Sequence, residues 1–399
     1  MNFVFISPQF PETYWNWCDR LRRNGVNVLG IGDTPYDNIP EQLKHVLTEY
    51  YWTPSLEDYD QVFRAVAFFS YKYGKIDWLE SNNEYWLGQD ARLRDDFHIT
   101  TGAGSAQMAV WQSKAGMKPL YAAGGVPTAR QVRMASPDDA DSVRAFAAEA
   151  GFPLFAKPEV GVGSGGAHKL DDEAALEAFL AAGENVPYVI EEFVTGDIVS
   201  YDAILDSTCE PLFENMEEFP PSMEEIVRLQ LDVSYLSRPT VDPKLQALGR
   251  AAAKSFGLAS RFVHMEFFRL TEAKPGLGGV GDYVGLEVNV RPPGGFTPDI
   301  INFAHSTDVY QIWADMVCFD ERRLPVSDDQ GYCVYASRRD IYSYAHSDEE
   351  VCATYGDAIR MSGRMADALS DDLGNSFYMG RFYSTDEVDE FVRFVQTQA

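Results

Sequence analysis

Positive charge and cysteine are both scarce in this chain, and each shortage excludes a class of protein. The 399 residues include 33 Lys and Arg against 61 Asp and Glu, for a formal net charge of −28. A chain this acidic repels a phosphate backbone, so we expect no nucleic-acid partner. The five cysteines are scattered and none forms a CxxC pair. That spacing argues against a disulfide framework or a zinc site, and for reduced thiols in a cytoplasm.

Long apolar runs are also missing. None approaches the ~20 residues that a membrane-spanning helix needs. The segment from Met1 to Ser7 has neither the basic region nor the cleavage site of a signal peptide. We therefore expect a cytoplasmic protein with no membrane partner. The length suggests two or three domains with ample core.

The first part of the chain alternates between short apolar runs and amphipathic stretches. The predicted strands and helices there are 2–7, 14–24, 26–31, 57–73 and 76–79. This alternation is typical of an open parallel sheet with crossover helices. The residues after the first strand, Pro8 to Pro11, contain no glycine fingerprint. A dinucleotide site in this region is therefore unsupported.

A glycine-rich loop, from Gly161 to Gly166, follows a predicted strand at 154–158 that carries Lys157. The loop matches GxGxxG, the pattern of a dinucleotide-binding turn, but that turn needs a helix to begin at the loop. Here the pattern of 167–170 predicts a second strand, and the helix begins only at Asp171. A strand–loop–strand hairpin of this kind is a flexible flap that offers backbone N–H groups to phosphates. An ordinary glycine-rich turn is the alternative.

A β-hairpin with acidic side chains is predicted near the middle of the chain. Its two arms and the turn between them are 262–270, 283–291 and 271–282. Because side chains alternate faces along a strand, Glu287, Asn289 and Arg291 share one face, and an antiparallel partner can bring Glu266 to it. Two carboxylates and an amide oxygen suit Mg²⁺, which binds carboxylates together with substrate phosphates. A solvated strand face is the alternative.

The remaining segments complete the predicted architecture. We expect a helix at 106–123 that carries Lys114, and a strand at 188–194 that ends in Thr195-Gly196-Asp197. The segment 212–239 is acidic and we expect it to be irregular. Later predicted elements are helices at 243–256, 308–319 and 386–396, strands at 332–337 and 376–383, and a partly helical segment at 351–368.

Four features occur in one order along the chain: Lys114, Lys157 with the glycine loop, the Glu191-Glu-Phe-Val194 strand end, and the acidic hairpin. Together they resemble the ATP-grasp superfamily. The likeness is to its carboxylate–amine (or thiol) ligases, firmly over about 106–295 and loosely in the flanks. It implies an α/β (α+β) ATP-grasp fold with an N-terminal open parallel α/β domain and a flexible glycine-rich lid. The implied domains are an N-terminal pre-ATP-grasp domain (1–115), a small lid domain (116–190), and a large domain with the metal site and a C-terminal extension (191–399).

The same resemblance implies roles for individual residues. Those that would contact the nucleotide are Lys114, Lys157, Gly163, Ser164, Gly165, Gly166, Glu191, Glu192, Phe193, Val194 and Asp197. Those that would bind the metal are Glu266, Glu287 and Asn289. Arg291 would face the acyl phosphate, and Lys157 would act with it in catalysis. The family commonly has Gly-x-Glu where this chain has Gly196-Asp197, so contact between Asp197 and ribose stays open.

The implied activity is that of an ATP- and Mg²⁺-dependent ligase, with Mn²⁺ as an alternative metal. It would activate a carboxylate as an acyl phosphate and join it to an amine, releasing ADP and phosphate. Two alternatives remain: an enzyme that uses bicarbonate, like carbamoyl-phosphate synthase or biotin carboxylase, and a non-catalytic ATP-binding regulatory protein. The expected partners are a small-molecule carboxylate and an amine, whose identities the sequence leaves open. The oligomeric state is also open; a homodimer is one candidate, because dimers are common among soluble enzymes.

Several other residues allow two interpretations each. Asn83 and Glu84 follow a predicted strand, where they meet the acceptor substrate or cap a helix. His264 lies on the same face as Glu266, where it supports that ligand or is an ordinary strand residue. Five tryptophans are expected in the core, with a substrate cage as the alternative: Trp15, Trp17, Trp78, Trp86 and Trp111.

Overall fold

The computed structural model describes residues 1–161, 166–183, 185–219, 226 and 228–399. Within that part of the chain the strands form three sheets, two of four strands and one of eight. Gly163, Ser164 and Gly165 of the predicted lid lie outside the described residues. Each described helix is too short or too polar to span a bilayer.

The first sheet is parallel, with strand order β3-β2-β1-β4. Its strands are β1 (Asn2–Ile6), β2 (Asn27–Gly32), β3 (Glu49–Trp52) and β4 (Trp78–Glu80). The helices around it are α1 (Trp15–Arg23), α2 (Glu41–Val46), α3 (Tyr59–Tyr73) and α4 (Leu87–Asp96). The predicted open parallel sheet is confirmed. The sequence missed β3, because this edge strand is only partly buried and lacks an apolar run.

The second sheet is antiparallel, with order β5-β8-β6-β7. Its strands are β5 (Gln131–Met134), β6 (Leu154–Pro158), β7 (His168–Leu170) and β8 (Tyr188–Glu192), and the helices in this part of the chain are α5 (Ser105–Trp111), α6 (Lys114–Ala123), α7 (Ala140–Ala150) and α8 (Glu173–Ala182). Strands β6 and β7 pair directly, with Ala156 opposite His168. The predicted strand–loop–strand hairpin is therefore confirmed, and the glycine loop does not open a helix.

The single helix predicted at 106–123 is wrong, since two helices occupy this segment. The Ser113 hydroxyl oxygen accepts the backbone N–H of Gly116 at 2.9 Å, which caps the second helix. Lys114 is therefore the first residue of α6. This position matters because Lys118 then lies one turn further along the same helix face.

The third sheet is antiparallel, with order β13-β12-β9-β10-β11-β14-β16-β15. Its strands are β9 (Gly196–Leu205), β10 (Pro211–Phe219), β11 (Ser234–Ser237), β12 (Arg261–Leu270), β13 (Tyr283–Asn289), β14 (Tyr332–Arg338), β15 (Ile359–Arg364) and β16 (Ser376–Phe382). The helices in this part of the chain are α9 (Pro243–Phe256), α10 (Thr297–His305), α11 (Val309–Phe319), α12 (Asp348–Tyr355), α13 (Asp367–Leu373) and α14 (Thr385–Gln396).

One sequence expectation fails in this sheet, and another is incomplete. The segment 212–239, expected to be irregular, holds most of β10 and all of β11. The acidic residues of β10 prevented its prediction from sequence, although Glu217 on that strand is fully buried. The segment 351–368 is partly helical as expected, since it holds the end of α12 and the start of α13. It also includes β15, an edge strand with mostly polar and exposed residues, which the sequence missed.

Strand β9 shows how side-chain alternation divides the core around this sheet. Val199, Tyr201 and Ala203 point to one face and pack in the apolar cluster that includes residues of α6 and α9. Ser200 and Asp202 point to the other face, where both are fully buried. One face of the sheet therefore carries a row of buried polar groups.

Buried charges join the first sheet to the third. One carboxylate oxygen of Glu80, which ends β4, lies 2.8 Å from Arg94 and 3.4 Å from Arg261 on β12. Arg261 also donates to the carbonyl of Val290 at 2.6 Å. A buried ion pair is held together when its remaining donors find acceptors, as they do here. The network fixes the end of β4 against β12 and β13, the strands that carry Glu266 and Glu287.

Asp90 lies at the edge of this network. Its carboxylate accepts hydrogen bonds from the Ser81 N–H at 2.9 Å and hydroxyl at 2.6 Å. Burial, together with the nearby charge of Glu80, raises the pKa of Asp90 to about 7, although Arg94 opposes the shift. The folded protein therefore holds a proton here that the unfolded chain releases near pH ~4.

We predict that Asp90→Asn flattens the pH dependence of the unfolding free energy. Because the folded pKa is raised to about 7, the stabilising contribution of Asp90 is complete below pH ~4 and is lost as pH rises through about 7. Urea unfolding at several pH values across this window measures the slope. Asp141→Asn, a change at an exposed aspartate, should keep the wild-type slope. A wild-type slope in Asp90→Asn would contradict the assignment.

Candidate active site

The acidic pair lies directly across two neighbouring strands. Glu266 on β12 is opposite Glu287 on β13, and His264 is opposite Asn289. The predicted sharing of one sheet face is therefore confirmed. Side chains that face each other in this way have Cβ atoms about 5 Å apart. Two carboxylates so close repel each other unless cations surround them.

Lys114 is the first of these cations. Its Nζ lies 3.2 Å from Glu287 Oε1 and donates to the carbonyl of Gly161 at 3.3 Å. Burial, with the charge of Glu266, raises the pKa of Glu287, while Lys114 lowers it. Lys114 thus links Glu287 to Gly161, the first residue of the glycine loop.

His264 is the second cation, and it lies beside the other carboxylate. Its Nδ1 is 2.6 Å from an Asp202 oxygen, and its Nε2 is 3.3 Å from Glu266 Oε1. Burial acts to lower the pKa of His264, but Asp202 and Glu266 outweigh it and raise the value to about 10. For Glu266, His264 outweighs the effect of burial and lowers the pKa. The imidazolium therefore supports Glu266, as one interpretation of the sequence proposed.

The partners of Asp202 extend this network along the sheet. Its second oxygen accepts the Ser200 hydroxyl at 2.9 Å and the Asn215 amide at 3.0 Å. Asn215 in turn accepts from Ser237 at 2.6 Å. The sequence missed these residues, because each stands alone in its strand and only sheet pairing brings them together.

Lys157 meets a buried carboxylate that it shares with a second lysine. Glu191 Oε2 is 2.7 Å from Lys157 Nζ, and Glu191 Oε1 is 2.6 Å from Lys118 Nζ. Burial raises the pKa of Glu191, but the two lysines outweigh it and hold the value below the ordinary range. Lys118 was missed, although its position four residues after Lys114 on one helix was a readable signal.

The strand end after Glu191 is held by long cationic side chains. Glu192 accepts the backbone N–H of Arg130 at 2.8 Å and lies 3.1 Å from its guanidinium. The carbonyl of Phe193 accepts Lys274 Nζ at 2.5 Å. Lys274 comes from the turn of the acidic hairpin, and the sequence gave no signal for this contact. Val194 is buried in a small apolar cluster.

The other candidate nucleotide residues lie at the edges of this region. Asp197 is exposed and pairs with Arg269 on β12 at 3.2 Å. Gly166 has a positive φ of 76° and accepts a hydrogen bond from the Tyr188 hydroxyl at 3.0 Å. A Cβ added at Gly166 would lie 3.1 Å from Pro158, so glycine fits this end of the loop.

Arg291 is held by a carboxylate from the first part of the chain. Its Nε is 3.1 Å from Glu84 Oε2, and its Nη1 donates to the carbonyl of Pro292 at 2.9 Å. Asn83 accepts the backbone N–H of Tyr85 at 3.1 Å, so it caps the short helix that begins at Glu84. The two residues therefore have different roles: Asn83 caps the helix, and Glu84 contacts Arg291 in the candidate site.

A cavity of about 140 Å³ lies beside Glu84, Glu287 and Asn289. Its lining includes Glu84, Trp111, Gly161, Glu287 and Asn289. Trp111 is buried as expected, but one side of it also faces this cavity. Glu287 therefore opens onto a space whose walls also include Gly161 and Glu84.

The donor set fits one kind of metal ion. No group of three or more His, Cys, Asp and Glu side chains in the described part of the chain is arranged to hold a metal. Glu266, Glu287 and Asn289 instead offer two carboxylates and an amide oxygen on one face. Mg²⁺ is commonly bound by one or two carboxylates, with the remaining positions left to phosphates and water. The residues present suit Mg²⁺ shared with a phosphorylated ligand.

Comparison with known proteins gives one curated relative and many similar structures. No protein-family model matches the chain. The D-alanine–D-alanine ligase of Streptomyces avermitilis is 29% identical over 232 residues, or 53% of this chain and 57% of that protein. The chain thus matches little more than half the length of this relative.

Similar solved structures cover the whole chain at low identity. The L-amino acid ligase from Bacillus licheniformis has a TM-score of 0.69 at 14% identity, over 99% of this chain and 96% of that one. N5-carboxyaminoimidazole synthetase from Staphylococcus aureus has a TM-score of 0.70 at 14% identity, over 99% and 97%. The biotin carboxylase domain of Hydrogenobacter thermophilus 2-oxoglutarate carboxylase has a TM-score of 0.67 at 15% identity, over 100% and 90%. These likenesses confirm the ATP-grasp fold that the sequence predicted.

We predict that Glu191→Gln destabilises the protein by about 3 kcal/mol or more, because it leaves two buried lysines without their shared counter-charge. Thermal and urea unfolding measure the loss. Glu177→Gln is the matched control, since Glu177 forms an exposed ion pair with Arg144, and water screens such pairs so that they contribute little to stability. Equal effects of the two changes would show that Glu191 does not balance a buried charge.

Proposed function

We propose that the chain is an ATP- and Mg²⁺-dependent ligase that activates a carboxylate as an acyl phosphate and joins it to an amine, releasing ADP and phosphate. One observation carries this proposal: the Glu266–Glu287 pair lies across two strands and is linked through Lys114 to the start of the glycine loop. An acidic pair with a purely structural role does not need a lysine that also contacts a loop. A site for nucleotide phosphates needs both the lysine and the loop.

The nucleotide would lie between the second and third sheets. Lys114 and Lys157 would contact its phosphates, and Glu191 keeps Lys157 charged: burial lowers the pKa of Lys157, but Glu191 and the acidic pair outweigh it. The strand end from Glu192 to Val194, with its apolar cluster, would meet the adenine. Asp197, exposed beside this strand end, is the proposed ribose contact. Gly163, Ser164, Gly165 and Gly166 would close over the phosphates and exclude water, which would otherwise hydrolyse the acyl phosphate.

The chemistry explains these residue types. A carboxylate is a poor electrophile, so one of its oxygens first attacks the γ-phosphorus of ATP, and the bond between that phosphorus and the ADP oxygen breaks. The amine nitrogen then attacks the acyl carbon. Phosphate leaves with the electron pair of the carbon–oxygen bond, and the amine gives up a proton. Positioning and charge neutralisation lower both barriers.

The protein's own cations and carboxylates divide these tasks. Arg291, now paired with Glu84, would hold the substrate carboxylate and then the acyl phosphate. Glu266, Glu287 and Asn289 would hold Mg²⁺, which when bound neutralises charge on phosphate oxygens. We also propose the division into residues 1–115, 116–190 and 191–399 as domains.

We predict that Glu287→Gln and Lys157→Ala each lower ADP release by at least ~100-fold, because each removes a preorganised charge at the reacting phosphate. A coupled ADP assay with a panel of carboxylic acids crossed with amines measures this. Glu272→Gln, at an exposed glutamate in the turn of the same hairpin, is the control and should keep full activity. Circular dichroism and unfolding curves confirm that each variant is folded.

Other outcomes of that panel would favour the alternatives. Full turnover in folded Glu287→Gln would contradict the proposed site. ADP release that requires bicarbonate and no amine would favour a carboxylase-like or carbamoyl-phosphate-synthase-like reaction. ATP binding without turnover across the whole panel would favour a regulatory protein.

We predict that Arg291→Lys raises the KM for the carboxylic acid and lowers kcat by about 10-fold or more, while leaving the Kd for ATP unchanged. Lysine keeps the charge but loses the planar fork that binds a carboxylate with two hydrogen bonds. Steady-state kinetics and calorimetric titration of ATP measure the two effects. Arg64→Lys, at an exposed arginine, is the matched control. A change confined to ATP affinity would show that Arg291 binds the nucleotide and not the acid.

A further inference from the structure

A second cavity, of about 80 Å³, lies between the first and last parts of the chain. Its apolar walls are Phe10, Pro11, Phe296, Met365, Ala366 and Leu369. Ala366 is exposed at the mouth, whereas Met365 is buried. The cavity is thus a small apolar recess with one accessible rim, and neither the sequence analysis nor the proposed mechanism uses it.

This cavity adjoins the candidate active site. Phe296 follows Arg291 by five residues and belongs to the same apolar cluster as Met365, against which Phe219 packs. The Phe219 ring also lies edge-on to His264, with ring centroids 6.1 Å apart. His264 in turn contacts Glu266. Phe219 and His264 thus connect the apolar cluster that includes Phe296 and Met365 to Glu266.

The opposite wall leads to the same place. Tyr14 follows the wall residue Thr13, and its hydroxyl donates to the carbonyl of Asn82 at 2.6 Å. Glu84, two residues on, is the carboxylate that holds Arg291. Residues next to both walls of the recess along the chain therefore lead toward Arg291.

The polar lining of the recess carries one charge, and that charge is negative. Gln9, Glu12 and Thr13 are its polar side chains, and its lining, which lies wholly within the described residues, contains no Lys, Arg or His. The exposed Glu12 carboxylate forms no ion pair within the described part of the chain. An amine, which carries positive charge before it reacts, meets a complementary carboxylate.

We propose that this recess binds the amine substrate, that it holds an apolar side chain of that amine, and that Ala366 and Leu369 set the size it accepts. The inference rests on the proposed ligase function and deepens it by naming the class of the second substrate: an amine or amino acid with an apolar side chain. It also gives the C-terminal segment a role, since α13 begins directly after Ala366. That segment would form the specificity wall.

The test compares amines of increasing size in variants that fill or enlarge the recess. Ala366→Phe adds bulk at an exposed position, so the fold should be unaffected. Its kcat/KM for leucine or phenylalanine as the amine should fall by about 10-fold or more, since a filled pocket discriminates steeply by size. Its kcat/KM for glycine should change less than about twofold. Ala353→Phe, on the exposed side of α12, is the matched control.

Leu369→Ala provides the opposite change. It enlarges the recess, so the ratio of kcat/KM for phenylalanine over alanine should rise by about threefold or more. Met361→Ala is its control, because Met361 packs against the same cluster but does not line the recess.

Hydroxylamine separates failure of this inference from failure of the ligase proposal. As a small nucleophile it traps an acyl phosphate as a hydroxamate without needing the recess, so every variant should give wild-type hydroxamate yields with the best acid of the panel. Wild-type hydroxamate with unchanged amine preference in both variants would overturn the inference alone. An altered KM for the acid, in place of the amine, would overturn it too. Absence of hydroxamate from the wild-type protein with every acid would overturn the ligase function, and this inference with it.

Discussion

The structure depends on one unfavourable contact: Glu266 and Glu287 stand opposite each other on paired strands. Backbone hydrogen bonding and burial of the reverse face fix this register, since Met265 and Val288 pack in the apolar cluster behind it. A slip of one residue would bury both carboxylates among apolar groups. The fold therefore forces two like charges together, and the surroundings must compensate.

Compensation is asymmetric, and the asymmetry has chemical consequences. Glu266 has the buried His264 beside it, and its pKa is lowered. Glu287 has Lys114, but burial and Glu266 still raise its pKa. One pKa is lowered and the other is raised, because the nearby positive groups compensate the charge of only one of the two carboxylates in full. A divalent cation would compensate both carboxylates at once, which a single added lysine would not.

Sequence patterns predicted the part of this arrangement that is local. Period-two alternation in a hairpin is enough to bring Glu266 and Glu287 to one face, and it did so correctly. The contact of Lys274 was missed because its partner follows a strand of another sheet, and pairing across sheets has no signature in a single strand. Lys118 was missed although its spacing from Lys114 places both lysines on one helix face. The strands hidden in 212–239 failed for a different reason: acidic residues lower the apparent hydrophobicity of β10, yet Glu217 is buried by neighbours that the local pattern does not contain.

The cations of the site all meet carboxylates of the protein itself. Lys114 contacts Glu287, Lys157 contacts Glu191, and Arg291 contacts Glu84. Only the Lys157 partner is deeply buried, so that pair is costly to break, while the other two pairs border the open cavity. On the proposed function, an arriving phosphate or carboxylate exchanges partners with the two accessible pairs and leaves the third intact. A site built this way orients its lysines and arginine before substrate binds. Binding then replaces one ion pair by another, so no isolated charge has to be buried.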